Sequence, residues 1–383
     1  NDRVGLNLLI SAGEASGDLH GARLLAALTR RRPGLTAFGM GGERLAAAGL
    51  NRVARSESLS VVGISEVFEK LPALWQAIRQ LRDAALRSRP DAAILIDFPD
   101  FHGWLARGLH RDGVPLVYYV SPQVWAWRSG RARAIARMAR LIVTLFPFEA
   151  GIYRRLGGNA VCAGHPLVDD VREGLAALPA ARTAGGRRRL VLMPGSRVGE
   201  VRRHWAPMAA AASALARRFD LEVLVLRAPG LADALFSGAA ESGFAFAAGN
   251  HYPDLAAADL AFVASGTATL EAALCGTPMI VVYRTSAASF AIGKRLIRVP
   301  WISLVNIVAG EEVVPELLQA DVNGARLETE GAALLEGPAR LAKMKASLAR
   351  VESQLGPPGG SQRAADAILE ALEPESRRRS VGQ

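Results

Sequence analysis

The run DLAFVASGTATLEAALCGTPMIVVY at residues 259–283 restricts the fold more than any other stretch, because it holds a complete strand–helix–strand unit. Leu260–Ala264 and Met279–Tyr283 are short apolar runs, which is typical of strands buried on both faces. Small hydroxyl and glycine residues at 265–267 begin the helix between them, and glycine and proline at 275–278 end it. The pattern predicts a parallel sheet covered by helices.

The start of that helix is predicted to bind a ligand. In open parallel sheets ligands bind at the carboxyl ends of the strands, and N–H groups at a helix N-terminus favour phosphate. Glu271 lies about one helical turn after Thr267, within reach of a sugar hydroxyl. The residues favour a nucleotide site, with phosphate at Ser265, Gly266 and Thr267 and ribose at Glu271. An ordinary capped helix with a solvated Glu271 is the alternative.

The same order of strand, glycine loop and helix occurs twice more. The apolar residues 6–11 precede the loop at 13–18, and a second apolar run precedes Gly195, Ser196 and Arg197. A Gly-Ser turn with a neighbouring arginine can hold a pyrophosphate through backbone N–H groups and the guanidinium. The repetition predicts an α/β fold with two Rossmann-like parallel-sheet domains facing a cleft.

The predicted domain boundaries follow composition. Residues 1–170 form the N-terminal domain, and the Ala-, Gly- and Arg-rich stretch 171–189 is the linker. Residues 190–345 form the C-terminal domain. Residues 346–383 hold a basic tail and a C-terminal helix, which is expected to return to the N-terminal domain. Half of the residues are hydrophobic, so both domains are expected to bury a full core.

Composition restricts partners and compartment only broadly. The formal charge of +10 permits anionic partners, but only four of the 46 basic residues are lysine, which indicates an arginine-rich surface set by coding bias. Cys162 and Cys275 lie in apolar contexts and are expected to be buried free thiols. No apolar run reaches the ~18 residues of a membrane span and no signal-peptide pattern is visible, so a cytoplasmic protein is expected.

Two carboxylates, Asp97 and Asp100, follow the apolar strand Ala92–Ile96. They come at its carboxyl end, where catalytic groups lie in such sheets. Asp97 is therefore the candidate general base. The alternative is that one or both carboxylates cap the next helix.

Aromatic and apolar residues in the N-terminal half suggest a lipid-facing surface. The loop at 121–128 holds Trp125 and Trp127, which suit stacking on a sugar or packing under an acyl chain, or else packing between domains. A second apolar feature is a stripe of residues at helical spacing, namely Val67, Phe68, Leu71, Leu74, Trp75 and Ile78. Basic residues flank this stripe and favour its contact with an anionic membrane, and an ordinary core-facing helix is the alternative. Pro72 lies within the stripe and predicts two short helical segments there.

Several catalytic motifs are absent from the sequence. There is no Walker A run, no H-E-x-x-H, no paired C-x-x-C and no G-x-S-x-G, and no cluster of His, Cys and carboxylates at metal spacing. The glycine run at 39–42 lacks the third glycine of a dinucleotide fingerprint, which argues against NAD. A transfer reaction without a metal or another cofactor fits best.

The chain resembles the lipid-A-disaccharide synthases, a family of inverting glycosyltransferases of the two-domain GT-B type. The loop at 12–18 and the tryptophan run at 119–128 are specific to the family, whereas the Ser-Gly-Thr unit is shared by many GT-B enzymes. His102 departs from the family, which often has asparagine there. The matching motifs are AGEASGD at 12–18, VGI at 62–64 with EV at 66–67, IDFPDF at 96–101, YVSPQVWAWR at 119–128, FPFE at 146–149, GHP at 164–166, LMPGSR at 192–197, ASGT at 264–267 and ELLQ at 316–319.

The resemblance implies a reaction. The expected donor is UDP-2,3-diacylglucosamine, and the expected acceptor is 2,3-diacylglucosamine 1-phosphate. The 6-hydroxyl of the acceptor attacks the anomeric carbon with inversion, which gives a β-1,6 disaccharide and UDP. The implied partners include the inner-membrane surface but no cofactor and no nucleic acid, and a homodimer is allowed. The protein is then cytoplasmic and peripherally associated with the inner membrane.

The resemblance also implies roles for particular residues. The expected catalytic residues are Asp97 as the base, Glu14, and Arg197, which neutralises charge on the departing diphosphate. The expected donor-site residues are Gly195, Ser196, Arg197, Ser265, Gly266, Thr267, Glu271, Asn306 and Gln319. The expected acceptor-site residues are Gly13, Ser16, Gly17, Asp18, Ser121, Gln123, Trp125 and Trp127. The expected membrane contacts are Val67, Phe68, Leu71, Leu74 and Trp75.

Two other kinds of function stay open. Another GT-B enzyme that acts on UDP-N-acetylglucosamine, such as an epimerase or a peptidoglycan transferase, would share residues 265–271 but needs no acyl-binding surface. A non-catalytic protein that binds a nucleotide sugar or a lipid would not need Asp97 together with Glu14. Release of UDP on mixing the two lipid substrates distinguishes the enzyme from the binding protein.

Overall fold

The computed structural model describes residues 5–56, 64–121, 129–177, 186–247, 249–286, 290 and 300–373, without the side chains of residues 15, 64–70 and 129. The chain divides into two compact units. The first unit comprises Asn1–Pro166 and Pro357–Gln383, and the second comprises Leu167–Gly356. Each unit contains one sheet of its own.

The first unit is built on a seven-stranded sheet in which all paired strands are parallel. Every residue of its fourth strand is buried, which is typical of a parallel sheet covered on both faces. The strands are β1 (Asn7–Ala12), β2 (Thr36–Gly41), β3 (Asn51–Arg55), β4 (Ala92–Ile96), β5 (Leu116–Tyr119), β6 (Ala139–Thr144) and β7 (Ala160–Cys162). Their spatial order is β3-β2-β1-β4-β5-β6-β7, so the direction of winding reverses between β1 and β4.

Helices connect these strands. They are α1 (Ala15–Arg31), α2 (Glu43–Ala47), α3 (Ile64–Ser88), α4 (Pro99–Arg111), α5 (Ser129–Met138) and α6 (Pro147–Arg155). α3 is continuous through Pro72, so the prediction of two short segments is wrong. Proline removes one backbone hydrogen bond, and burial of the apolar face of α3 outweighs that loss.

The apolar stripe on α3 is divided between core and surface. Leu74 and Ile78 lie in the hydrophobic core of the first unit, with 8% and 5% exposure. Leu71 is half-buried and packs against the same core. Because these side chains face the sheet, the predicted membrane contact is wrong for Leu74, and Leu71 is mainly a packing residue.

One aromatic residue of the stripe does reach the surface. Trp75 is 47% exposed and stacks on Trp104 of α4, with 5.2 Å between the ring centroids. The side chains of Val67 and Phe68 lie outside the described part of the chain. Among the described residues, no helix is long and apolar enough to cross a membrane.

The second unit is built on a six-stranded parallel sheet with the order β10-β9-β8-β11-β12-β13, which reverses between β8 and β11. Its strands are β8 (Arg188–Met193), β9 (Leu221–Leu226), β10 (Ala245–Ala247), β11 (Leu260–Ala264), β12 (Met279–Tyr283) and β13 (Glu316–Leu318). Its helices are α7 (Leu167–Ala176), α8 (Val198–Phe219), α9 (Tyr252–Ala256), α10 (Thr267–Leu274), α11 (Leu304–Ala309), α12 (Gly324–Glu336) and α13 (Pro338–Leu355). The predicted α/β class with two parallel sheets is confirmed.

The C-terminal helix α14 (Gly360–Leu372) belongs to the first unit, where it packs against α1. Ile368 is fully buried there. Arg31 of α1 forms two hydrogen bonds to Asp366, at 2.6 and 3.1 Å. Arg363 Nε donates to the carbonyl oxygen of Ala163 at 2.9 Å. After forming the second unit, the chain therefore returns to the first unit.

The unit boundaries differ from the predicted domain boundaries at 170 and 345. α7 belongs to the second unit, because it packs against α9 and α10, and Asn250 Nδ2 donates to the carbonyl oxygen of Gly174 at 2.6 Å. α13 stays in the second unit to its last residue, because it packs against α10 and α11. Residues 178–185 of the predicted linker lie outside the described ranges.

Candidate active site

The first candidate site lies where β1 and β4 end, at the point where the first sheet reverses its winding. Ala12 of β1 is paired with Ile96 of β4, so the loops that carry Glu14 and Asp97 leave the sheet side by side. A Cβ atom on Gly13 would lie 2.1 Å from the Phe98 ring, so a larger residue would not fit this close approach. The sheet thus brings Gly13, Glu14 and Asp97 together.

Asp97 has an unusual backbone and an unusual acidity. Its φ is +40°, a left-handed conformation that costs a non-glycine residue about 1–3 kcal/mol and is often found at functional sites. Burial, and to a smaller extent the nearby Glu14 carboxylate, raise the pKa of its carboxyl group to about 6. A carboxylate with a pKa near neutrality is suited to take a proton at physiological pH.

Two polar residues of α4 close to Asp97 in sequence, Asp100 and His102, already have other partners. His102 is buried, and its Nε2 lies 2.9 Å from the Ser11 hydroxyl. Burial lowers the pKa of His102 to about 3, so this imidazole is neutral and serves packing. Asp100 is exposed and forms an ion pair with Arg131 at 2.5 Å. Of the two predicted carboxylates, Asp97 is the one withdrawn from solvent, whereas Asp100 lies on the surface.

Asp18, one of the predicted acceptor-site residues, has a structural role in the first unit. It is 6% exposed, and its carboxylate accepts hydrogen bonds from the backbone N–H groups of Gly42, Arg44 and Leu45 at 2.7, 3.0 and 3.2 Å. These groups begin α2, so Asp18 caps that helix from outside it. The glycine-rich loop therefore has a structural half and, at Glu14, an exposed half.

The other predicted acceptor residues divide three ways. Ser16 is exposed at the start of α1, whereas Gly17 is buried with its Cα facing β4. Ser121 is buried, and its hydroxyl oxygen lies 2.5 Å from the Tyr153 hydroxyl, so its role is to fix α6 to the end of β5. Three further predicted residues lie outside the described ranges, namely Gln123, Trp125 and Trp127.

The second candidate site is a cavity of about 560 Å³ inside the second unit. It opens at the carboxyl ends of β8 and β11, where that sheet reverses its winding. Such a position is the usual ligand site of a doubly wound sheet. The predicted residues that line it are Gly195, Ser196, Arg197, Ser265, Gly266, Thr267 and Glu271.

The beginning of α10 offers phosphate donors, but fewer than the sequence predicts. The N–H group of Ser265 donates to the Val282 carbonyl at 2.9 Å as part of the sheet, and its hydroxyl donates to the Ile302 carbonyl at 3.2 Å. Ser265 is therefore a structural residue. Gly266 has a φ of +149°, which only glycine adopts readily, and it turns the chain into α10. In the first turn of α10 the Thr269 N–H donates to the Gly266 carbonyl at 3.1 Å, so the N–H groups of Thr267 and Ala268 are the ones suited to an anion.

The beginning of α8 is occupied by a carboxylate of the chain itself. Glu200 Oε2 accepts hydrogen bonds from the N–H groups of Ser196 and Arg197 at 3.1 and 3.4 Å. Gly195 has a φ of +126°, and a Cβ atom there would lie 2.7 Å from Glu200 Cβ. The amides that the sequence assigned to a pyrophosphate are thus capped by Glu200 in this structure. The capping-box spacing of three residues could have indicated this.

Arg197 keeps an available guanidinium in spite of the capping. Its side chain is 77% exposed, and its one described ion pair, to Glu200, has a distance of 3.4 Å. That is a weak contact for an exposed pair, so it leaves the guanidinium able to meet an anion in the cavity.

His204 holds the loop that leads from β8 into this site, and the sequence analysis did not single it out. It is 2% exposed on α8. Its Nδ1 lies 2.9 Å from the Pro194 carbonyl, and its Nε2 accepts a hydrogen bond from the Arg284 N–H at 3.0 Å. Burial lowers the pKa of His204, so a neutral ring joins the loop after β8 to the end of β12.

Glu271 faces the cavity together with a residue that the sequence analysis missed. Its side chain is 19% exposed, and its Oε2 lies 3.5 Å from Nε2 of His251. His251 directly precedes α9 and lines the same cavity. No motif marks His251, because it comes close to Glu271 only when β10 and β11 are in place.

Asn306 and Gln319 do not line the cavity, contrary to the prediction. Asn306 is fully buried; its Oδ1 accepts from the N–H groups of Val313 and Val314, and its Nδ2 donates to the Val314 carbonyl and to Glu316. Gln319 Oε1 accepts a hydrogen bond from the Thr285 N–H at 2.8 Å. Both side chains hold loops of the second unit in place.

No metal site is apparent among the residues that the structure describes. Among those residues, no group of three or more His, Cys, Asp or Glu side chains is arranged to hold a metal ion. Cys162 and Cys275 are free thiols and are half-buried, where full burial was expected; partial burial raises the pKa of Cys275 to about 12, so it is a neutral thiol.

The family described as Lipid-A-disaccharide synthetase has a sequence model that matches residues 8–370 of this chain. The Lipid-A-disaccharide synthase of Myxococcus xanthus is 42% identical over 381 residues, which cover 96% of this chain and 98% of that protein. The Lipid-A-disaccharide synthase of Geobacter sulfurreducens is 41% identical over 372 residues, which cover 95% and 97%. At this coverage, the sequence similarity to these two proteins extends over both units of the chain.

Solved structures with the same fold are more distant in sequence. The calicheamicin glycosyltransferase CalG4 superposes with a TM-score of 0.63 at 16% identity, with 96% of this chain and 98% of that one covered. The complex of S. aureus MnaA with UDP gives a TM-score of 0.63 at 12% identity, with 96% and 97% covered. At this identity they support the GT-B fold alone.

Proposed function

The chain belongs to the lipid-A-disaccharide synthetase family and forms the lipid A disaccharide as a GT-B glycosyltransferase, and from this premise we propose how its two sites divide the reaction. The first-unit site takes the acceptor, 2,3-diacylglucosamine 1-phosphate, and supplies the base. The second-unit cavity takes the donor, UDP-2,3-diacylglucosamine. The observation that carries this division is the raised pKa of Asp97 beside Glu14, in contrast to the helix N-terminus and arginine at the cavity.

The acceptor reacts as a nucleophile. Its 6-hydroxyl oxygen forms a bond to the anomeric carbon of the donor on the face opposite the diphosphate. The bond from that carbon to the diphosphate oxygen breaks, and UDP leaves with the electron pair. Asp97 takes the hydroxyl proton, and one such base is enough for a single displacement with inversion. Burial keeps this carboxylate poorly solvated and therefore basic.

The donor is bound by groups that stabilise charge. The N–H groups in the first turn of α10 and the Arg197 guanidinium neutralise the diphosphate, which gains negative charge as the bond to the sugar breaks. The Glu271 carboxylate accepts hydrogen bonds from the ribose hydroxyls. Glu200 retains its capping bonds at α8, so Arg197 contributes its side chain and not its amide.

Donor and acceptor binding are tested by the products formed. With both diacylated substrates, the protein should release UDP in an amount equal to the disaccharide. Omission of the acceptor should abolish UDP release, and replacement of the donor by UDP-N-acetylglucosamine should lower kcat/KM by at least tenfold. Equal turnover of UDP-N-acetylglucosamine would favour the other GT-B enzymes.

Membrane association belongs to the first unit in this proposal. Trp75 and Trp104 form an exposed aromatic pair, and such rings insert at the headgroup level of a bilayer. Exposed Arg79 lies one turn along α3 and suits anionic lipids. This pair replaces the stripe predicted from sequence, since Leu74 and Ile78 are core residues.

Sedimentation with anionic liposomes tests the aromatic pair. The double variant Trp75→Ser/Trp104→Ser should stay folded and should pellet about tenfold less than the wild type, since each ring loses its interfacial contact. Leu86→Ser is the control, because Leu86 is 56% exposed on the same helix but lies three turns away. Equal pelleting of the double variant and the control would contradict the anchor.

A further inference from the structure

His251 lies in the donor cavity of the second unit in a setting that suits only one protonation state. It directly precedes α9, and its side chain is 26% exposed. Its ring packs on Tyr252, with 4.7 Å between the ring centroids. Both ring nitrogens face fixed oxygen atoms, so their hydrogen-bond needs can be worked out.

Each nitrogen of His251 faces an acceptor. Nδ1 lies 3.2 Å from the Gly249 carbonyl oxygen, which can only accept a hydrogen bond. Nε2 is shielded from solvent and lies 3.5 Å from Glu271 Oε2, which is also an acceptor when ionised. No described residue gives Nε2 a donor to pair with. A neutral imidazole would turn a lone pair toward one of these oxygens, whereas the imidazolium turns an N–H group toward both.

The other charges near His251 act in the same direction or are already paired. Asp254 on α9 is negative, and Arg189 of β8 binds it at 2.8 Å. α7 meets this loop through Gly174, which carries no charge, and Cys275 on α10 is a neutral thiol. Across the cavity, Arg227 pairs with Asp233 and Arg197 with Glu200. Glu271 therefore raises the pKa of His251 more than any other group does.

We infer that His251 is a positioning residue, which as an imidazolium holds the Glu271 carboxylate toward the ribose of a uridine nucleotide and offsets its negative charge. The inference rests on the proposed donor site. Without the imidazolium, Glu271 would stand as an uncompensated carboxylate in a cavity that must accept a diphosphate.

The pH dependence has a defined sign. The pKa of His251 lies above the usual value of 6.5, so the imidazolium is present below that pH and is lost as pH rises through the raised pKa. Affinity for UDP should therefore fall on the alkaline side. The last phosphate proton of UDP leaves near pH ~6, so above pH 7 the charge of the ligand is constant.

Two measurements on the full chain test the inference. Ring ¹⁵N NMR of the six histidines, with His251 assigned by its loss in His251→Asn, reports the protonation state directly. Calorimetric titration with UDP between pH 7 and 9.5 reports the affinity. Asparagine is a favoured residue before a helix, so this variant should fold, and His251→Gln provides a second neutral variant. His110→Asn, at an exposed histidine of α4, is the matched control.

The expected result is that the imidazolium signal of His251 persists to a higher pH in the wild type than in Glu271→Gln. Wild type and His110→Asn should lose about fivefold in UDP affinity across the range, whereas His251→Asn and His251→Gln should be weak and pH-independent. A His251 ring that loses its proton at the same pH with and without the Glu271 carboxylate, or the same pH profile in the His251 variants, would overturn the inference and leave the donor site intact. Failure of the wild type to bind UDP would overturn the donor site as well.

Discussion

The two points where the sheets reverse their winding have the same topology and opposite chemistry. In the first unit the loops after β1 and β4 bring Glu14 and Asp97 together beside phenylalanine rings. In the second unit the loops after β8 and β11 place two helix N-termini and Arg197 around an open cavity. One site withdraws a carboxylate from water, and the other presents donors to an anion.

This difference explains which side chains can take which role. A general base needs a pKa near neutrality, and burial together with a neighbouring like charge provides this for Asp97. A leaving diphosphate needs positive charge and N–H groups, which the N-terminus of α10 and an exposed guanidinium provide. The topology supplies the position, and the loop residues decide the chemistry.

The largest effect is expected at the first site. Asp97→Asn removes the proton acceptor while it keeps the shape of the side chain, so kcat should fall by about 10²-fold or more. Asp100→Asn is the control, because Asp100 is an exposed partner of Arg131, and it should stay within about threefold of the wild type. Disaccharide formation at saturating substrates measures both. The reverse pattern would move the base to Asp100 and break the comparison.

The second site should respond through its guanidinium. Arg197→Ala should lower kcat by about 30- to 100-fold, because charge on the departing diphosphate is no longer neutralised in the transition state. Arg202→Ala, at an exposed arginine of the same helix, should have less than a twofold effect. Steady-state kinetics with varied donor measure the loss. A rate for Arg197→Ala above a third of the wild-type rate would remove the side chain from the mechanism.

Substitution of a structural residue of the second unit should lower stability without weakening UDP binding. Asn306→Ala leaves the N–H groups of Val313 and Val314 without their acceptor, so the free energy of unfolding should fall by about 2–4 kcal/mol. Asn323→Ala, which removes the exposed cap of α12, should cost about 1 kcal/mol. Urea unfolding measures both. UDP affinity of folded Asn306→Ala should stay within threefold, and a larger loss would return Asn306 to the donor site.

Sequence patterns predicted the fold and drew attention to the loops that form both candidate sites, because buried parallel strands are continuous apolar runs and the loops after them are rich in glycine. They also brought Asp97 forward as the base candidate, since it directly follows β4. The patterns failed for polar residues whose partners are distant in sequence. Asp18 caps α2 across 24 to 27 residues, and nothing near Asp18 in the sequence signals that role.

The same limit explains what the sequence overlooked. His251 and Glu271 are 20 residues apart and become neighbours through the sheet. His204 bonds to Arg284, which follows a different strand. Leu74 and Trp75 are adjacent, yet one is core and the other surface, because helical spacing alone does not show which side of the stripe meets the sheet.

The pH profile of kcat/KM for the wild type and Glu14→Gln tests most directly the claim that burial and a like charge make Asp97 the base. The wild type should show an acid limb with an apparent pKa near 6, so that the rate at pH 5 is about a tenth of the plateau. Glu14→Gln removes the like charge and should move this limb to lower pH. A limb at the same pH in both proteins, or a wild-type rate that does not change down to pH 5, would contradict the account.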